Sequence, residues 1–161
     1  MRSEAEVLER LAGLKSDFFG AQCAQLLFGI SFETAKANGL LPEEYLKKIE
    51  SGESQKWEKT TDERIQNSIV GYLDFAWDKA TGHRGLSASR SLDHFRGWCW
   101  LLGDDEALSF IDDDANFPQY GAPILMYLSK RFGHTPPSGE DAKNMAQGLS
   151  CSPYCEDGCG V

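Results

Sequence analysis

Apolar residues three and four positions apart, opened by residues that cap helix ends, run through most of this chain and leave little room for other secondary structure. Ser3 and Glu6 have the spacing of a capping box, in which each side chain satisfies an orphan amide of the first turn. Val7, Leu11, Leu14 and Phe18 then share one helical face. A second apolar set, Phe19, Cys23, Leu26 and Leu27, follows from about Asp17, and Gly13 and Gly20 leave open one bent helix or two. Asn38-Gly39 separates short helices over 31–38 and 43–50, with Pro42 suited to a first turn. Ser51 to Lys59 reads as a loop.

Thr60 with Glu63 makes another capping box, ahead of a stripe of Ile65, Ile69, Tyr72, Ala76 and Ala80. Leu92, Phe95, Cys99 and Leu102 are in register on the next helix, which Gly103 stops. Asp104 can cap its successor, burying Leu108 and Ile111. A last core helix, from about Gly121 to Phe132, presents Ile124, Leu125, Leu128 and Phe132 and is closed by Gly133. Strand-like alternation and internal repeats are absent from the pattern. The expectation is an all-α fold: a single-domain bundle of about six to eight helices over residues 1–135. A short helix and a Cys-rich C-terminal tail, 136–161, follow it.

Hydrophobic content of 41% supports a folded core. Twenty-five acidic against 16 basic residues give a formal charge of −9, which opposes non-specific attraction to nucleic acid or anionic membrane and favours basic partners or cations. The start lacks the basic-then-apolar run of a secretory signal, and no apolar stretch approaches the roughly 20 residues that span a bilayer. These features point to a cytoplasmic protein without a membrane partner, in which cysteines are reduced or metal-bound rather than disulfide-paired.

Three of five cysteines, Cys151, Cys155 and Cys159, fall at four-residue steps in the tail. Three thiolates plus a histidine complete a tetrahedral zinc shell, and Pro153, Gly158 and Gly160 would let the backbone wrap an ion. His134, across a short linker, is the candidate fourth ligand. The plainer alternative is a chain end carrying free thiols. Cys23 and Cys99 lie on apolar stripes and read as packing residues.

The segment from His83 to Ser91 gathers positive charge at a helix start, where exposed amides favour anions. His83, Arg84, Ser87 and Arg90 could hold a phosphate or a partner's carboxylate; equally, the serines cap the helix while the arginines pair with the chain's own acids. The acidic runs 104–106 and 112–114 flank one short helix. Consecutive acids point in different directions, so they suit a solvated surface better than a metal centre. No P-loop, His-Glu-x-x-His or Ser/His/Asp signature is present, and no catalytic set emerges.

Ala35, Gly39, Tyr45, Ile49, Glu50 and Gly52 match residue types of a known pattern: an alanine four residues before a turn glycine, then a second helix ending in Ile-Glu-x-Gly. On these, residues 29–53 resemble a lambda-repressor-like (XRE-type) helix-turn-helix. The resemblance implies that 43–49 enter a major groove, with Tyr45, Lys47 and Lys48 facing phosphates or bases.

These observations lead to the expectation of a non-enzymatic protein that binds another macromolecule, foremost a protein. Its abundant aromatics, Trp57, Trp77, Trp98 and Trp100 among them, are of the kind that anchors interfaces. A helix-turn-helix DNA-binding regulator and a small zinc or redox protein built on the tail are the alternatives.

Overall fold

A computed structural model describes residues 1–13, 26–54, 58–81, 89–116 and 118–135, and for 78–81, 89–91 and 118–120 the backbone alone. Within them the chain is all-helical. The helices are α1 (Glu4–Ala12), α2 (Phe32–Ala37), α3 (Glu43–Glu50), α4 (Asp62–Thr81), α5 (Ser89–Leu102), α6 (Asp105–Asp112) and α7 (Pro118–Arg131), with a 3-10 turn at Asp114–Asn116. None is long and apolar enough to cross a membrane, among the described residues. The anticipated short helix and cysteine tail lie outside them, as do Leu14 and Phe18.

Capping chemistry sets most of the boundaries. The Ser3 hydroxyl accepts from the Glu6 amide (3.2 Å) while the Glu6 carboxylate accepts from the Ser3 amide (2.8 Å). That second bond is the main reason the Glu6 carboxyl titrates below its ordinary value. Ser31 caps α2 through the Thr34 amide, and Asp104 caps α6 through the Ala107 amide. The α4 cap falls one residue later than expected: Thr61, not Thr60, accepts from Arg64 (3.2 Å), and Thr60 is buried.

α4 lies at the centre of the bundle, packed on α5 along one flank and on α7 along the other; α6 bridges α5 and α7. Burial on two flanks widens its apolar face. Ile65, Ile69 and Ala76 are buried as the spacing predicts, but so are Leu73 and Trp77, while Tyr72 is only half-buried. The α5 side contributes Phe95, Trp98, Cys99 and Leu101, and α7 contributes Ile124, Leu125 and Leu128. Burial pushes the Cys99 thiol up to about 12, as befits a packing residue with no reactive role.

α1 is fastened to the far end of α5. The Arg2 amide donates to the Leu101 carbonyl (2.7 Å), and the Arg2 Nε donates to the Trp100 carbonyl (3.0 Å), which also accepts from the Gly103 amide (3.0 Å), so two carbonyls of the last turn of α5 are bonded to Arg2. The guanidiniums of Arg2 and Arg10 lie over the Trp100 ring, 5.1 and 4.6 Å from its centroid. Gly29 occupies the junction: a Cβ there would stand 2.6 Å from Leu101 Cδ2 and 3.2 Å from Val7 Cγ2, so a larger residue would wedge α1 and α5 apart. At the same end of α5, Asp104 receives both Nε and Nη2 of Arg131 at 2.8 Å, tying the start of α6 to the end of α7.

Candidate functional site

The two flanks of α4 carry the chemistry. Toward α5, Tyr72 is the hub of an aromatic band: its ring lies 4.8 Å from His94, 5.2 Å from Phe95, 5.4 Å from Trp98 and 5.4 Å from Phe75. Phe95 and Trp98 belong to the core. At the margins, Phe75 is 49% and Phe28 48% exposed, a large apolar area for two rings to keep in water. Burial lowers the His94 pKa against a smaller opposing effect of Asp93, which favours a neutral imidazole in the band.

Beside Trp98 lies a cleft of about 220 Å³. Phe28 and Trp98 form one side, and Arg64, Asn67 and Ser68 of α4 form the other. Arg64 is exposed and its guanidinium stands 3.7 Å from the Glu58 carboxylate, a loose surface pair. Small-molecule pockets usually run to ~300–1,000 Å³, so this cleft is scaled to one side chain.

Toward α7, α4 is closed by a chain of hydrogen bonds. Trp77 Nε1 donates to Ser129 Oγ at 2.9 Å, Ser129 Oγ meets His134 Nδ1 at 3.2 Å, and His134 Nε2 meets Asp74 Oδ1 at 2.7 Å. A carboxylate only accepts, so Nε2 carries a proton; Nδ1 can then accept from the Ser129 hydroxyl, which in turn accepts from the indole. Gly133, at φ +71°, lets the chain reverse after α7, and the His134 amide closes on the Ser129 carbonyl at 2.8 Å. That reversal delivers the imidazole beneath α4.

Serine, histidine and aspartate thus do come together, which the sequence pattern does not reveal. Their roles differ from those of a nucleophilic triad. Ser129 is only 1% exposed and its oxygen is engaged by Trp77, while the exposed end of the chain is the carboxylate. No substrate carbonyl could reach that hydroxyl, so the arrangement serves as a latch between α4 and α7.

Of the residues singled out in the sequence, Cys151, Cys155, Cys159, His83, Arg84 and Ser87 lie outside the described residues, and Arg90 is described as backbone of α5 only. His134, the candidate fourth zinc ligand, has both ring nitrogens engaged in the latch. Among the described residues no group of three or more His, Cys, Asp or Glu is placed to hold a metal ion. Tyr45, Lys47 and Lys48 lie on α3. Lys47 pairs with Glu43 (3.4 Å), and Lys36 of α2 pairs with Glu50, so two of the three lysines of that segment face the chain's own acids. Lys48 is exposed, beside an equally exposed Glu44.

The tryptophans proposed as anchors have other duties: Trp77 and Trp98 are buried, Trp100 lies under two guanidiniums, and Trp57 is outside the described residues. Among the described residues the large exposed aromatic rings are instead Phe28 and Phe75. Phe75 falls off the α4 stripe, and that offset is the signal that could have identified it. Comparison with family models, curated proteins and solved structures finds no match to this chain.

Proposed function

We propose that the protein acts by recognising another protein chain through the aromatic band between α4 and α5. The supporting observation is the pairing of a side-chain-sized cleft beside Trp98 with two half-exposed phenylalanines on either margin. Interface anchors of this kind are aromatic, and their partners are pockets that exclude water. The sequence adds two circumstances: net acidity, which disfavours nucleic acid as the partner, and cysteine usage in keeping with the cytoplasm. Binding without a chemical step fits a band of rings whose one imidazole is packed between Tyr72 and Trp98.

Affinity capture with the wild type and a Phe28→Ser/Phe75→Ser variant tests this reading, with circular dichroism confirming that both are folded. The expected result is a defined partner held by the wild type and lost from the variant. Equal recovery from both would remove the aromatic band from the account.

A further inference from the structure

Gly71 is the feature of α4 that the bundle itself does not explain. It is exposed in the interior of a twenty-residue helix, and a Cβ added there would meet nothing within 4 Å. Glycine at such a position costs about 1 kcal/mol of helix stability relative to alanine. No close contact within the described chain requires it. A second helix crossing at that point would, because the absence of a side chain lets two backbones approach.

The face around Gly71 shows which helix fits. At about 100° per residue, Arg64, Asn67, Ser68, Asp74 and Phe75 all project within roughly 60° of Gly71, and all are exposed. Gly71 also lies next to the midpoint of Asp62–Thr81. A twofold axis through it pairs each position with the one equally far on the other side.

We infer that this protein forms an antiparallel homodimer in which α4 crosses α4 of a second copy at Gly71. The inference rests on the reading of the α4–α5 face as a protein-binding surface and names a second copy of this chain as the partner. In this register Phe75 of one copy comes level with Asn67 of the other, beside the cleft walled by Ser68, Arg64, Phe28 and Trp98. The exposed ring thereby gains a cavity of its own scale. Asp74 comes level with Ser68, where the Asn67 amide and the Arg64 guanidinium one turn beyond can donate to its second carboxylate oxygen; the first remains with His134. Each copy supplies one ring, one cleft, one carboxylate and one guanidinium, so every contact occurs twice, as a closed isologous interface demands. The charge complementarity is local, and it offsets the repulsion between two chains of net −9 each.

Sedimentation equilibrium of the full chain, from micromolar to near-millimolar, is the test, applied to the wild type, Gly71→Ala, Gly71→Leu and Phe75→Ser. The expected wild-type behaviour is a concentration-dependent passage from monomer to twice its mass. Gly71→Ala should raise the thermal midpoint of the monomer yet weaken association by about tenfold, the equivalent of ~1.4 kcal/mol. Gly71→Leu and Phe75→Ser should abolish it. A wild type that stays monomeric throughout, or a dimer whose dissociation constant is unchanged in Gly71→Leu and Phe75→Ser, overturns the inference. A monomer that still loses a captured heterologous partner on Phe75→Ser refutes self-pairing alone; retention of that partner as well refutes the wider reading of the surface.

Discussion

The two flanks of α4 are built from similar residue types and end in opposite conditions. Facing α7, Trp77 is buried, its indole N–H has a hydrogen-bond acceptor, and the chain of partners runs through Ser129 and His134 to Asp74. Facing α5, the rings of Tyr72, His94 and Trp98 pack well, but the margins at Phe28 and Phe75 stay in water. One flank is complete within the chain; the other has spare apolar surface and a cleft. Burial with full polar satisfaction favours one rigid arrangement. Exposed aromatic area beside a cleft is what a partner can use.

The sharpest way to break this contrast is to remove Trp77. Trp77→Ala should cost about 3–5 kcal/mol, through the cavity it leaves and the loss of its bond to Ser129, read from the shift in urea midpoint at constant slope. Ser129→Ala keeps the packing but strands the Trp77 N–H and His134 Nδ1, and a loss of about 1–3 kcal/mol is expected in the same assay. A loss near zero would mean that water reaches the latch. On the opposite flank, Phe75→Ser should lie within about 0.5 kcal/mol of the wild type. A large loss there would make Phe75 part of the core and erase the contrast.

The smallest expected effect is a pH dependence. The folded-state pKa of His94 lies below its ordinary value of 6.5, so as pH falls past that value the unfolded chain binds a proton that the native chain does not. The contribution of His94 to stability is therefore complete above pH 6.5 and lost below it. Urea midpoints between pH 7 and pH 5 should fall less for His94→Gln than for the wild type. Identical slopes would mean that the ring is solvated.

The elements of the fold were legible because they are written in local chemistry. Ser3 with Glu6, Asp104, and the Ile124–Leu125–Leu128 set all act within a turn or two of themselves, and the structure uses them as the spacing implies. The α4 stripe was only half legible. Spacing alone selected Tyr72 over Leu73 and Trp77 because it assumed one buried flank, and α4 has two. The latch was not legible at all, since Asp74 and His134 are 60 residues apart and only the reversal at Gly133 brings them together. Without that geometry, His134 resembled a spare metal ligand. Gly71 gave no signal in the sequence, because a helix glycine becomes informative only once it is known to face open space.

The bonds from Arg2 to Trp100 and Leu101 have a bearing on biosynthesis. During translation at ~5–20 residues per second, Arg2 is incorporated roughly 5–20 s before the carbonyls that will receive it have been made. Through that interval the apolar side of α1, with Val7 and Leu11, has no permanent seat. Occupancy by chaperones should accordingly concentrate on α1 and end once α5 has emerged.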